Sequence, residues 1–130
     1  MKATRRAMFA LGVWLSLGAG AQAAEFRAYS AEALATAQAE NRPIVVAAHA
    51  NWCPTCRAQA PILRQLAESP QYENLLVLTL NFDRQARERR ALGIRQQSTL
   101  IAFHGARERM RSVGDTDPQS IGALFQSAMR

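Results

Sequence analysis

Residues 51–61 read Asn-Trp-Cys-Pro-Thr-Cys-Arg-Ala-Gln-Ala-Pro, and this stretch decides the predicted fold because it joins two elements of different type. The apolar run at residues 44–48 predicts a buried strand before it. Apolar residues at helical spacing, Ile62, Leu63 and Leu66, predict a helix after it. The two cysteines of the chain therefore lie where a strand passes into a helix.

The position of the two thiols predicts their chemistry. The first turn of a helix leaves backbone N–H groups without partners and carries partial positive charge, which stabilises a thiolate. Pro54 suits the first helical position. We therefore expect Cys53 to cap the helix as the exposed nucleophile and Cys56, one turn further on, to be the resolving thiol. Trp52 is expected to shield one side of the pair, and Arg57 adds a positive charge nearby.

Residues 1–23 have the pattern of a secretory signal peptide. The pattern consists of a basic start, an apolar stretch and a small-x-small cleavage motif, namely Lys2, Arg5 and Arg6, residues 8–19, and Ala21-Gln22-Ala23. A retained membrane anchor is the alternative, but spanning a bilayer takes about 20 apolar residues and this stretch is shorter. The sequence therefore predicts export to the periplasm and a mature domain of residues 24–130.

The charge of the chain is partly a property of this leader. The 130 residues include 16 Lys and Arg and 10 Asp and Glu, for a net charge of +6, and three of the basic residues precede residue 24. The mature domain is therefore expected to carry +3 and to be a single domain and a monomer. We expect no nucleic-acid binding, because aromatic and basic residues do not alternate. The arginines at positions 84, 87, 89 and 90 are interpreted as a solvated helix face, with a docking patch for an acidic partner as the alternative.

Export bears on how the cysteines are interpreted. Two cysteines in an oxidising compartment often form a structural disulfide. A link across only two residues constrains little chain entropy in the unfolded state, so it stabilises the fold weakly. The strand-to-helix position of Cys53 and Cys56 therefore favours a redox-active pair. The predicted protein needs no cofactor beyond this dithiol.

The pattern of the mature chain predicts an α/β fold with elements in the order βαβαβαββα. This order indicates a mixed sheet of about five strands, with about four helices in layers on both faces and an antiparallel hairpin near the end. Pro61 is expected to kink the second helix. Strands are predicted at residues 26–29, 44–48, 75–82, 99–103 and 107–113, and the four helices are predicted to start at the cap residues Ser30, Cys53, Asp83 and Asp117.

Three stretches of the chain resemble the thioredoxin family. They are residues 50–57 with Pro61, residues 80–83 followed by 93–95, and residues 98–103 followed by Gly105 and residues 113–114. The resemblance implies a thioredoxin fold and a thiol–disulfide oxidoreductase. It also implies that substrates meet the loops around the dithiol, formed by Trp52, Pro54, Thr55, Gln97, Ser98 and Thr99.

The chain departs from the family pattern at three positions. Ser98 stands where the family has a cis-proline, so we expect a trans peptide bond there, with a hydroxyl and a backbone N–H near the sulfurs. Ala47 stands where the family has a buried acid that takes the proton of the resolving thiol. His49 replaces an aromatic residue and is a candidate base for Cys56, the alternative being a histidine that only packs at the strand end.

The function that follows is a periplasmic thiol–disulfide oxidoreductase acting on exported proteins, as a reductase rather than an oxidase. The resemblance implies a membrane thiol-transfer protein as electron donor. The first alternative is a copper-handling protein, since two thiolates with His49 nearby can hold Cu(I). A non-catalytic binding module is the second, and the intact dithiol argues against it.

Overall fold

The computed structural model describes Gly18 and residues 23–130, so most of the predicted signal peptide lies outside the described residues. Within this part of the chain, no helix is long and apolar enough to cross a bilayer. The strands are β1 (Glu25–Ala28), β2 (Pro43–His49), β3 (Leu76–Asn81), β4 (Thr99–His104) and β5 (Arg107–Val113), and the helices are α1 (Ala31–Ala39), α2 (Pro54–Ala67), α3 (Ala86–Ala91) and α4 (Pro118–Ala128). This order confirms the predicted α/β architecture.

The five strands form one mixed sheet in the order β1-β3-β2-β4-β5. Strands β1 and β2 both run parallel to β3, whereas β4 is antiparallel to both β2 and β5. Strand β2 is therefore central, and its first six residues are buried, as its unbroken apolar sequence predicts. The carboxyl ends of β2 and β3 lie side by side, and the dithiol follows the end of β2.

Alternate residues of β2 contribute to two separate hydrophobic cores, one on each face of the sheet. Val45 belongs to the core covered by Leu63 of α2 and Phe125 of α4. Val46 belongs to the opposite core, which includes Leu34 of α1. Because side chains of a strand point alternately to its two faces, a central strand covered by helices on both sides must be apolar throughout.

Three of the four predicted helix caps are confirmed. The side chains of Ser30, Cys53 and Asp117 each accept a hydrogen bond from a backbone N–H in the first turn of the following helix. The prediction for Asp83 is wrong, because α3 begins three residues later, after Gln85, and has no side-chain cap. Asn81 accepts hydrogen bonds from the backbone N–H groups of residues 83 and 84, which holds this segment as a separate turn.

Two glycines are predicted to respond in opposite ways to substitution by alanine. Gly105 turns the β4–β5 hairpin at a φ of +57°, and an added Cβ would meet the side chain of Asn41 and lie 3.2 Å from its Cα. Gly105→Ala should therefore lower the free energy of unfolding by about 1–3 kcal/mol. Gly122 lies inside α4 with ordinary contact distances around an added Cβ, so Gly122→Ala should raise it by about 0.5–1 kcal/mol. Urea denaturation of both variants measures the difference, and equal effects would contradict it.

Candidate active site

Cys53 caps the N-terminus of α2, as predicted. Its backbone is extended, with φ −83° and ψ 115°, and its Sγ accepts a hydrogen bond from the backbone N–H of Cys56 at 3.2 Å. Pro54 takes the first helical position, where its missing N–H leaves no intrahelical bond unmade. The sulfur of Cys53 therefore lies at the positive end of the helix dipole, one turn from the second thiol.

The prediction that Cys53 is exposed is wrong. Its relative accessibility is 2%, close to the 1% of Cys56. Both cysteines pack with Ala50, and the aromatic residue against this cluster is Phe82 at the end of β3. A substrate must therefore reach a sulfur that is covered by neighbouring side chains.

The role predicted for Trp52, shielding one side of the dithiol, stays a prediction. Its side chain is 58% exposed, and its indole N–H donates to the Oδ2 of Asp83 at 2.8 Å. This bond ties the loop after β2 to the turn after β3. Trp52 thus presents a large apolar surface to solvent beside the dithiol, and its position is fixed by Asp83, a residue predicted from the sequence only as a helix cap.

The hydroxyl of Ser98 lies within hydrogen-bonding distance of both sulfurs. Its Oγ lies 3.0 Å from the Sγ of Cys56 and 3.3 Å from the Sγ of Cys53, and the side chain is buried. The peptide bonds of the described residues are all trans, including the bond before Ser98, as predicted. Ser98 has a φ of +62°, which is unusual for a residue with a side chain and indicates a conformation held by its surroundings.

Three hydrogen bonds hold the backbone of Ser98 in this conformation. Its N–H donates to the carbonyl of Ala48 at 2.9 Å and is therefore not available to the sulfurs. Its carbonyl accepts from the N–H of Gly114 at 3.0 Å and from the Nε2 of Gln59 at 3.2 Å. The same Nε2 donates to the carbonyl of Asp115 at 2.7 Å.

Gln59 is a site residue that was not predicted from the sequence. It is 3% exposed and lies on the buried face of α2, where a polar side chain needs hydrogen-bond partners. Its partners connect α2 to the Ser98 loop and to the segment after β5. A signal was present in the sequence, because Gln59 follows Cys56 by three residues and precedes the buried Leu63 by four.

The two thiols have opposite ionisation tendencies. Burial by itself raises the pKa of Cys53, but hydrogen bonds from the Cys56 thiol, from the Ser98 hydroxyl and from backbone N–H groups outweigh burial, and the pKa falls below that of a free cysteine. Burial, followed by the hydrogen bond with Cys53, raises the pKa of Cys56. The site therefore favours one thiolate and one neutral thiol.

Ala47 lines a cavity next to Cys56. This cavity of about 180 Å³ is lined by both residues together with His49, Gln59 and Thr79. The Nε2 of His49 lies 3.1 Å from the Oδ1 of Asn51, and no hydrogen bond joins this ring to either sulfur within the described residues. The structure thus brings His49 to the same cavity as Cys56 without a hydrogen bond between them, and its role as a base stays a hypothesis.

Within the described part of the chain, the side chains of the other predicted substrate-loop residues make no hydrogen bond to the dithiol. Pro54 is exposed, and Thr55 and Gln97 are half-buried. The hydroxyl of Thr99 donates to the carbonyl of Gln96 at 2.7 Å, which closes the turn that carries Ser98. Among the residues described, no group of three or more His, Cys, Asp or Glu side chains is placed to hold a metal ion, so His49 does not join the two thiols as a third ligand.

The opposite shifts of the two thiols predict which one is alkylated. A thiol with a lowered pKa has more thiolate at a given pH, and the thiolate is the reactive form. Iodoacetamide at neutral pH should therefore modify Cys53 before Cys56, with the Cys56 reaction appearing only as the pH rises. Site-resolved mass spectrometry of the reduced protein measures both rates. Two thiols with the pH profile of free cysteine would contradict the assignment.

Comparison with known proteins agrees with this geometry. Residues 25–127 match the family model described as Thioredoxin. The crystal structure of Trxlp from Edwardsiella tarda EIB202 is similar with a TM-score of 0.75 and 35% identity, covering 78% of this chain and 98% of that one. A thioredoxin from Alicyclobacillus acidocaldarius is 34% identical over 90 residues, which are 69% of this chain and 85% of that protein. A thioredoxin from Chlamydia muridarum is 33% identical over 82 residues, 63% of this chain and 78% of that protein.

The fold and these relatives define the class of protein as a thioredoxin-type thiol oxidoreductase. Its five-stranded sheet with four helices is the thioredoxin fold, as the resemblance implied. More particularly, the chain belongs to the thioredoxin family, and Cys53 and Cys56 are its Cys-x-x-Cys pair.

Proposed function

We propose that this protein is a periplasmic protein-disulfide reductase that acts on exported proteins through Cys53 and Cys56. The observation that carries the proposal is the cap geometry, in which the Sγ of Cys53 accepts the N–H of Cys56 at 3.2 Å while the second thiol lies one turn inward. This arrangement supplies an attacking thiolate and a thiol close enough to resolve the product.

The proposed reaction has two steps. The Cys53 thiolate attacks one sulfur of a substrate disulfide, forming a mixed disulfide and releasing the other substrate sulfur as a thiolate that takes a proton from water. Cys56 then attacks the Sγ of Cys53, so that a Cys53–Cys56 disulfide forms and the second substrate sulfur leaves. The substrate gains two electrons, and the protein loses the same two.

The reducing direction of electron flow is part of the proposal. A strong oxidant of this fold owes its potential to a reduced form with a highly stabilised thiolate. Here hydrogen bonds lower the pKa of Cys53, which stabilises its thiolate, whereas burial raises the pKa of Cys56 and keeps that thiol neutral. Because the two shifts oppose each other, we base the reducing direction on the likeness to thioredoxins, with a membrane thiol-transfer protein as the proposed electron donor.

The periplasmic location rests on the signal-peptide pattern of residues 1–23. We propose that this leader is removed and that residues 24–130 work as a monomer. Expression of the full chain followed by osmotic shock and intact-mass measurement tests this. A periplasmic product that lacks residues 1–23 is expected, and a cytoplasmic product that retains them would overturn the location.

Insulin reduction with dithiothreitol as electron source tests the enzymatic activity. The protein should accelerate the precipitation of insulin chains, and Cys53→Ser should reduce the rate to that of dithiothreitol alone. No acceleration by the unchanged protein would end the oxidoreductase proposal. Equilibration with glutathione buffers then tests the direction, since a midpoint more reducing than the glutathione couple is expected and a more oxidising one would make the protein an oxidase.

A further inference from the structure

We propose that Ser98 is a catalytic residue, whose hydroxyl stabilises the Cys53 thiolate and relays the proton of Cys56 to the departing substrate sulfur. The inference rests on the proposed exchange reaction and adds a proton path to it. The path runs through Ser98, the residue that stands where the family has a cis-proline. Its first support is position, because Ser98 Oγ lies within hydrogen-bonding distance of both reacting sulfurs, at 3.0 Å and 3.3 Å.

A hydroxyl can serve each of the two sulfurs in turn. It has one proton to donate and two lone pairs that accept. In the reduced protein the Ser98 hydroxyl can donate to the thiolate of Cys53, which also accepts the S–H of Cys56. Hydrogen bonds to an ionised acceptor are about twice as strong as neutral ones, so this arrangement selects the state with the charge on Cys53. In the mixed disulfide Cys53 carries no charge, and the Ser98 oxygen can accept the S–H of Cys56 instead.

The backbone holds Ser98 where this contact forms. A residue with a side chain at a φ of +62° is in a sparsely populated conformation, which persists only when the surrounding structure imposes it. Ala48, Gln59 and Gly114 impose it here through three hydrogen bonds to the Ser98 backbone. The bonds fix the residue but leave its hydroxyl facing the sulfurs.

The neighbouring ionisable groups make no hydrogen bond to the dithiol. They are Arg57 on α2, Arg64 on α2 at the cavity beside Cys56, His49 at the end of β2, Asp83 after β3 and Asp115 after β5. In the chain from residue 23 onward, none of these five hydrogen-bonds to either sulfur. Ser98 is therefore the only side chain there, apart from the two thiols, with a hydrogen bond to the reacting atoms.

The relay acts in the second step of the reaction. The Cys56 sulfur forms a bond to the Cys53 sulfur, and the bond between Cys53 and the substrate sulfur breaks. The proton of Cys56 passes to Ser98 Oγ while the Ser98 proton passes to the substrate sulfur, which leaves as a neutral thiol. Ser98 ends the step as a neutral hydroxyl, so protons and charge balance without an external base.

Ser98→Ala and Ser98→Gly test the thiolate contact as a pair. Both variants lose the hydroxyl, but only glycine adopts the φ of +62° without strain. If the hydroxyl matters, both should slow iodoacetamide alkylation of Cys53 at neutral pH by about tenfold and shift its pH profile upward. An effect in only one of the two variants would assign it to the backbone and overturn the proposal.

Resolution of mixed disulfides tests the relay. Stopped-flow release from Cys53 is measured with nitrothiobenzoate, which leaves readily as a thiolate, and with glutathione, an alkyl thiol that benefits more from protonation. In both variants the release rates should fall relative to the unchanged protein. The fall should be about tenfold larger for glutathione than for nitrothiobenzoate. Equal slowing of the two would overturn the relay. Insulin turnover by the unchanged protein separates this result from failure of the proposed function.

Discussion

Cys56→Ser is expected to accumulate a stable covalent complex with a disulfide substrate, joined through Cys53. The serine hydroxyl is close to the thiol in size and fits the same buried position, but it cannot displace the substrate from Cys53. An attacking group held in place acts at an effective concentration far above that of a dissolved thiol. The lifetime of the mixed disulfide should therefore increase by at least about a hundredfold relative to the unchanged protein.

Non-reducing electrophoresis of the variant after incubation with insulin measures this complex. Cys53→Ser is the matched control and should form no complex, because its remaining thiol is buried and has a raised pKa. A complex formed by Cys53→Ser but not by Cys56→Ser would reverse the two roles. The experiment thus tests which sulfur is the nucleophile separately from whether turnover occurs.

Phe125→Ala should cause a large loss of stability. The ring is fully buried in the core between the sheet and helices α2 and α4. It also meets the ring of Tyr72 edge to face, with centroids 5.4 Å apart and planes at 84°. Removing such a ring costs about 3–5 kcal/mol, because the apolar transfer energy is lost and a cavity remains. The melting temperature should fall by at least about 12 °C.

Urea denaturation of Phe125→Ala gives the free energy directly. Phe26→Ala is the matched control, because Phe26 on the edge strand β1 is 42% exposed and its loss should cost less than about 1 kcal/mol. A similar loss in both variants would mean that packing in this core is not what distinguishes the two positions. Below its melting temperature, Phe125→Ala should keep the alkylation behaviour of Cys53, since the dithiol cluster packs separately.

The sequence was most informative where a structure depends on near neighbours. Ser30 and Asp117 cap their helices as predicted, because a cap bond joins residues two or three positions apart. Asp83 failed as a cap for an equally local reason, since Asn81 offers a competing acceptor two residues earlier. The apolar run of β2 predicted a central strand because burial on both faces admits no polar side chain.

In the active site, too, features that depend on near neighbours were predicted and features that depend on distant residues were not. The order of Cys53, Pro54 and Cys56 predicted the cap and the turn between the two thiols, since both follow from helix geometry. Burial of Cys53 could not be predicted in the same way. It depends on Phe82, which is distant in the chain and packs against the dithiol only when β3 lies beside β2.

Local sequence patterns were enough to specify the order of elements, the strand-to-helix junction and the identity of the two reactive sulfurs, because period, caps and spacing act within a few residues. Long-range packing, by contrast, places Ser98 against both sulfurs, lets Gln59 hold the Ser98 carbonyl and lets Asp83 orient Trp52. These contacts join residues 31 to 45 positions apart. They form only after the sheet is assembled, and no local pattern encodes which distant partner each side chain meets.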